Sequence, residues 1–302
     1  MKKFVAILSL VLVLCMIGAT LTACGEDTTV LSQDKEWRYQ SNTVSVTVKT
    51  QAEVDDYIAK GYTVVSTGKK TTLERTYYSL VSYTGNEADV TVPASVDGHT
   101  IEAVESGLFM RMDDGSTQKK MRDTYAANTT LETVTFACDI DAIPSMTFYM
   151  CEALTSVTLP ANVKSIGDFS FFGCKSLTSL SFPATVQSIG EYAFRECGAL
   201  TSITINNAAD DEFPPYIGDK CFYMLNEKSS DDDQYYIIPT LKIYVASTAV
   251  FDAAYIHQAF KTNKNNDYRN WLVYIGEKKS DDCFVYDLTT QQPVRTKEAV
   301  NG

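Results

Sequence analysis

Histidine is scarce, with two in 302 residues. That leaves little room for imidazole metal ligation or acid–base chemistry. Positive charge is also in deficit: 26 Lys and Arg stand against 38 Asp and Glu, a net charge of −12. Counterion release at a phosphate backbone needs a basic surface, so nucleic acid is a poor partner for this chain. Beyond the N-terminus no apolar run approaches the ~20 residues of a bilayer-spanning helix, which excludes a polytopic membrane protein. There is no G-x-G-x-x-G, P-loop, G-x-S-x-G or H-E-x-x-H, and no CxxC or Cys/His spacing that would suggest zinc. His99, in Asp97-Gly98-His99, reads as part of a turn, and His257 as part of a capping helix. Both are expected to be structural or solvated. No catalytic residue is assigned, and an enzyme would need a pocket between the N-terminal unit and the repeats described below.

The chain that remains is 45% hydrophobic and 21% charged, the balance of a folded protein of one or two domains. Residues 1–23 read as a signal peptide. Lys2 and Lys3 form a short positive region, Phe4 to Ile17 an apolar one, and Leu21-Thr22-Ala23 lead into Cys24. This ending resembles the bacterial lipoprotein box, and the resemblance implies a diacyl or triacyl anchor on Cys24; two or more acyl chains hold a membrane stably where one does not. Loss of Lys2 and Lys3 would take the net charge to −14. An anionic lipid surface weakly repels such a domain, so it is expected to stand off the membrane. Residues 24–36 read as a flexible tether reaching roughly 40 Å at most.

Self-similarity is the strongest signal. NTTLETVTFACDIDAIPSMTFYM (128–150), CEALTSVTLPANVKSIGDFSFFG (151–173) and CKSLTSLSFPATVQSIGEYAFRE (174–196) align without a gap at a period of 23 residues. A fourth copy begins at 197 and rejoins the pattern at Tyr216. A degenerate fifth lies upstream in Asp89–Pro93, Val104 and Leu108-Phe109, and Ile238–Ile243 repeats the strand part once more before the pattern stops. Within one unit Leu154, Val157 and Leu159 place apolar side chains on one side of a strand, with Ser156 and Thr158 on the other. Pro160 ends that strand, because it has no N–H for the ladder. Val163, Ile166 and Phe171 turn inward on the return, and Gly167 permits a tight bend. One unit cannot bury such a face alone, whereas stacked units share a continuous core.

This unit resembles the repeat of the BspA-like leucine-rich repeat family of bacterial surface proteins, closely in 151–196 and more loosely in the flanking copies. The fold expected is a leucine-rich repeat solenoid of the α/β repeat class, with a parallel β-sheet on one face; a parallel β-helix is the alternative. The expected boundaries are an N-terminal β-α-β-β cap at 37–85, repeats at 86–246 with insertions at 111–127 and 226–236, and a C-terminal cap and tail at 247–302. The N-terminal unit is read from a strand at Val44–Val48, a helix at Gln51–Lys60 ending at Gly61, and two strands at Tyr62–Ser66 and Leu73–Tyr83. After the repeats, a helix from Ser247 or Thr248 through Phe260 and a strand at Trp271–Ile275 are expected.

Cys151, Cys174 and Cys197 fall in one slot of three successive units. They are read as a ladder of small, buried, reduced side chains, with an inter-turn disulfide as the alternative. Cys221 is expected in a small inward slot; Cys138 and Cys283 are unassigned. Acidic runs at 210–212, 231–233 and 281–282 suit calcium weakly, since they match no calcium-loop spacing. No other cofactor is expected.

Two repeating rows are candidate binding faces. One follows the buried phenylalanine of each unit: Met110, Tyr149, Phe172, Arg195 and Tyr223. Such residue types are enriched in interface hot spots; the alternative is that they are spaced to pack on one another. The other lies along the outer face of the sheet: Thr133, Thr135, Ser156, Thr158, Ser179, Ser181, Ser202 and Thr204. Hydroxyls in water contribute little net binding, so the aromatic row is preferred. The family resemblance implies adhesion to host or bacterial surface protein, or to glycan, from the extracytoplasmic face. The alternative is a structural spacer in an envelope complex.

Overall fold

Trp37–Val48 and Thr71–Tyr83 form two long strands, β2 and β4, paired antiparallel over their full length in the computed structural model. The structure describes residues 29–112, 125–205, 216–218, 221–225, 235–237, 242–245, 272–275, 283–287 and 292–296. Cys24, His257, the acidic runs and the expected helix at 247–260 lie outside them. Before β2, β1 (Val30–Leu31) pairs antiparallel with Tyr39 and Arg38. The segment expected to be a tether therefore holds a two-residue strand and a turn, which Ser32 and Trp37 close with backbone and side-chain hydrogen bonds.

Between β2 and β4 lie helix α1 (Gln51–Ala59) and strand β3 (Thr63–Ser66). Thr50 starts the helix with a capping box: its hydroxyl accepts from the Glu53 amide at 3.3 Å, and the Glu53 carboxylate accepts from the Thr50 amide at 3.0 Å. Gly61, at φ +84°, ends it. Val54 of the helix packs with Val46, Val48, Tyr62 and Leu73 in a small core of its own.

The solenoid begins with β5 (Asp89–Val92), then β6 (Ser95–Val96) and β7 (His99–Val104), which form a hairpin around Asp97 and Gly98, both at positive φ. His99 is thus the first residue of a strand, and its ring stacks on Tyr78 at 4.0 Å. β7 also pairs parallel with β4, so the N-terminal sheet joins the first turn by main-chain hydrogen bonds. Trp37, Tyr39 and Leu80 belong to the same core as the repeats.

Each later turn contributes a strand to the front sheet and a two-residue strand to the back. After the β8–β9 hairpin (Arg111–Met112 with Tyr125–Ala126) come β10 (Thr133–Phe136), β11 (Ala142–Ile143), β12 (Ser156–Thr158), β13 (Ser165–Ile166), β14 (Ser179–Phe182), β15 (Ser188–Ile189), β16 (Ser202–Ile205) and β17 (Tyr216–Ile217). In front, β5, β10 and β12 pair parallel, as do β14 and β16, residue for residue, at 23-residue steps except where an insertion intervenes. Behind, β11, β13, β15 and β17 do the same. A second hairpin, β18 (Tyr223–Leu225) with β19 (Tyr235–Ile237), opens the later insertion. The front sheet then continues through β20 (Lys242–Val245) and β21 (Leu272–Ile275), both parallel. The parallel ladder therefore runs past 246, into the segment expected to be a cap. It ends where β22 (Cys283–Asp287) and β23 (Gln292–Thr296) pair antiparallel.

The core is a column of rings. Phe109, Phe148, Phe171, Phe194 and Phe222 stack at centroid spacings of 5.3, 4.9, 5.0 and 5.7 Å. Leu131, Leu154, Leu177 and Leu200 form a second buried column. Trp37 and Tyr83 cover the open face of Phe109, the first ring of the stack. Full burial of a phenylalanine stabilises by ~1.5–3 kcal/mol, a contribution that each turn of the column repeats.

Candidate functional site

The candidate row sits on the bend between the back sheet and the next front strand. Here the backbone alternates into the left-handed region. Met146, Phe169 and Tyr192 have φ of 59°, 55° and 56°, and Met150 and Glu196 have 58° and 62°. Glycines hold the corresponding places at Gly107 and Gly173. Each left-handed residue costs ~1–2 kcal/mol when it carries a Cβ. Hydrogen bonds along the solenoid axis offset that cost, because the alternation turns successive amides toward the next turn. Phe169 donates to the Glu191 carbonyl at 3.0 Å, Phe171 to Ala193 at 2.8 Å, and Gly173 to Arg195 at 2.8 Å.

That backbone projects side chains outward on both flanks of the buried ring. Tyr149 and Phe172 stack at 4.9 Å and 10°, Tyr125 of the first hairpin meets Tyr149 at 5.3 Å, and Arg195 lies over Phe172 at 5.8 Å. A parallel pair, Phe169 and Tyr192, stacks at 4.9 Å, with Arg195 also 5.4 Å from the Tyr192 ring. Met110, Tyr149, Phe172 and Arg195 are all half-buried. The row thus packs on itself along the axis and stays partly exposed. Burial raises the Tyr149 hydroxyl pKa. Arg195 is also 3.6 Å from the Glu196 carboxylate. The Tyr223 side chain is outside the described residues; its backbone opens the second hairpin.

Both insertions leave the solenoid at this one slot, Met110–Met112 into the first hairpin and Tyr223–Leu225 into the second. Tyr149, Phe172 and Arg195 therefore occupy the turns between two hairpins. Phe169, Tyr192 and Tyr125 join this surface without having been singled out in the sequence. The recurrence of Met146, Phe169 and Tyr192 at the 23-residue period was the available signal.

The hydroxyl row lies on the front sheet in register: Thr133 opposite Ser156, Thr135 opposite Thr158, Ser179 opposite Ser202, and Ser181 opposite Thr204. Thr135, Ser156, Thr158, Ser179 and Ser181 are exposed, while Thr133, Ser202 and Thr204 are half-buried. Thr133 also donates to Asp89 at 2.6 Å. This row is flat and small, with no ring within it.

Five of the cysteines are in the interior. Cys138, Cys151, Cys174, Cys197 and Cys221 are all buried free thiols. The Cys174 and Cys197 thiols donate to the carbonyls of Phe148 and Phe171 at 3.3 and 3.0 Å. Burial pushes Cys138 up to about 11 and Cys151 to about 12, and raises Cys174 and Cys221 as well. Among the described residues no group of three or more His, Cys, Asp or Glu side chains is placed to hold a metal ion.

A family model described as the BspA type leucine rich repeat region matches residues 119–231 in six copies. The repeats are BspA-type leucine-rich repeats. Their observed stacking extends beyond that match on both sides, from Asp89 to Ile275. No curated protein matches the chain. Among solved structures, a leucine rich repeat protein of T. pallidum is 18% identical over 54% of this chain and 86% of its own, with a TM-score of 0.33. The pneumococcal vaccine antigen PcpA is 19% identical over 55% of this chain and 38% of its own, at 0.36. A leucine rich cell surface protein from Faecalibacterium prausnitzii is 18% identical over 61% and 68%, at 0.28. None of these overlays carries a residue role across to this chain.

Proposed function

We propose that this BspA-type protein is anchored by lipid at Cys24 on the extracytoplasmic face of a bacterial membrane. Its solenoid binds another macromolecule, without catalysis, calcium or another cofactor. The observation that carries the reading is the surface strip of Tyr149, Phe172 and Arg195 between two hairpins that leave the solenoid at the same slot. Aromatic and arginine side chains held rigidly at a surface contribute most to protein interfaces, since little rotamer entropy is lost on contact. A protein partner fits better than a glycan. A sugar ring packs on the flat face of an aromatic, and here those faces are turned toward one another within the stack.

The same self-packing supports a second reading, a rigid spacer whose bend is stabilised by its own rings. Binding of the purified protein to immobilised laminin, collagen and mucin, and to bacterial envelope preparations, separates the two. The binding reading expects capture by one of these and its loss, at least tenfold, in Tyr149→Ser/Phe172→Ser. Thr158→Lys/Ser181→Lys, on the other face, should bind normally, with circular dichroism showing all three proteins folded. If the unaltered protein captures nothing, the spacer reading stands.

A further inference from the structure

The N-terminal sheet is open along one side. β2 pairs with β4 from Trp37 to Val48, but among the described residues its other side carries only β1, opposite Arg38 and Tyr39. From Ser41 to Val48 the amides and carbonyls of that side face no described strand. Such an edge invites another strand unless a proline, a charged side chain, a bulge or a covering segment blunts it. The run Ser-Asn-Thr-Val-Ser-Val-Thr-Val (41–48) contains neither proline nor charge. The register shift of β2 against β4 lies before it, between Arg38 and Tyr39. Helix α1 gives Val54 to the cluster of Val46, Val48 and Leu73, which occupies one face of the sheet.

We propose that this edge of β2 pairs with the same edge of a second copy of the chain, antiparallel about a twofold axis at Val44. Self-complementarity points to a second copy. Along β2 the residues Ser41, Thr43, Ser45 and Thr47 are exposed on one face, while Asn42, Val44, Val46 and Val48 are half-buried or buried on the other. A twofold axis at Val44 sets that side chain against its counterpart, Asn42 against Val46, Thr43 against Ser45 and Ser41 against Thr47. Like faces therefore meet throughout. The hydroxyl face already makes such pairings with β4, Thr43 with Thr76 at 3.4 Å and Thr47 with Thr72 at 3.5 Å. On the other face Val44 is only half-buried against the small cluster of Val46, Val48, Val54, Tyr62 and Leu73, and the axis would bring two such clusters together. Charge favours the same place. With a net charge of −12 two copies repel over much of their surface, and an uncharged edge lets them approach. Pairing of this kind closes at two copies, because it consumes the edge that makes it. The interface is small, so the dissociation constant is expected to be on the order of 10 µM.

Sedimentation equilibrium of the full chain, in density-matched detergent with reductant, tests this apart from the aromatic strip. Between roughly 1 and 200 µM the protein mass should rise from one chain to two and stop there. Thr43→Lys/Thr47→Lys, which places like charges along the paired edge, should weaken the dimer by about tenfold or more. Thr158→Lys/Ser181→Lys, on the front sheet, should leave it unchanged, with circular dichroism showing both variants folded. Amide exchange on the unaltered chain needs no variant. The amides of residues 41–47 that point away from β4 should exchange fast in the monomer and slow down as the dimer forms. A single chain at every concentration would overturn the pairing, as would association that runs past two copies or survives Thr43→Lys/Thr47→Lys intact. So would slow exchange of those amides already in the monomer, since the chain's own residues would then fill the edge.

Discussion

Ser170 shows how closely one slot is defined. It is fully buried, and its hydroxyl has no hydrogen-bond partner. In the preceding turn the equivalent Thr147 donates to the Pro144 carbonyl at 2.8 Å, and in the next turn the slot holds Ala193. An unsatisfied buried hydroxyl costs ~1–3 kcal/mol, while alanine loses only one small atom of packing. Ser170→Ala is expected to raise stability by about 1 kcal/mol in urea denaturation; a lower midpoint would show that the hydroxyl finds a donor. At the same scale the sequence suggested a tight bend at Gly167 but did not reveal the left-handed backbone of Phe169 and Tyr192. No residue preference announces it, since an aromatic there is held by axial hydrogen bonds to a turn 23 residues away.

Glycine at the bends is an element-scale requirement. A Cβ on Gly190 would lie within 2.6 Å of the Gly167 carbonyl carbon and closer still to the Asp168 amide, and Gly167 and Gly218 are equally tight against the turns before them. The spacing of successive back-sheet strands thus depends on the missing side chain, not on a positive φ. Gly190→Ala is expected to cost about 1–3 kcal/mol, since neighbouring backbone must move. A thermal melt unchanged within error would show that the turns can separate freely. The repeat units were legible because each apolar slot recurs at one period. The ring column, the leucine column and the cysteine ladder all lie where Phe171, Leu154 and Cys174 implied. The element not legible was the continuation through β21, because the 26 residues separating it from β20 break the period.

At the scale of the whole molecule, one core joins the N-terminal sheet to the repeats, through the β4–β7 pairing and the cover of Phe109 by Trp37 and Tyr83. Sequence spacing could not foresee that pairing, which links residues on either side of a front strand. The buried thiols give this core an alkaline limit. An unfolded cysteine titrates near pH ~8.5, whereas burial holds Cys138 and Cys151 at about 11 and about 12. Between those values the unfolded chain binds fewer protons than the folded one, so stability falls as pH rises. The contribution is complete below pH ~8.5 and is lost by about pH 12, at ~1.4 kcal/mol per pH unit for each such thiol. Burial raises Tyr62, Tyr77 and Tyr83 as well, which adds with the same sign. Urea midpoints under reductant should be level between pH 7 and 8 and drop steeply by pH 10.5. A level profile throughout would mean that the thiols are reached by solvent.

The sequence by itself determined the repeat, its parallel stacking and which side chains face inward, because a short period leaves each unit unable to bury its apolar face except against its neighbour. Only the tertiary structure decided what the outward residues do. Ring faces that period alone would leave open to solvent are covered by the turns on either side. Both insertions emerge from a single slot, and the thiols of Cys174 and Cys197 reach carbonyls of the ring column. Those outcomes depend on distances between turns and on backbone direction at the bend, neither of which is written in the type of any single residue.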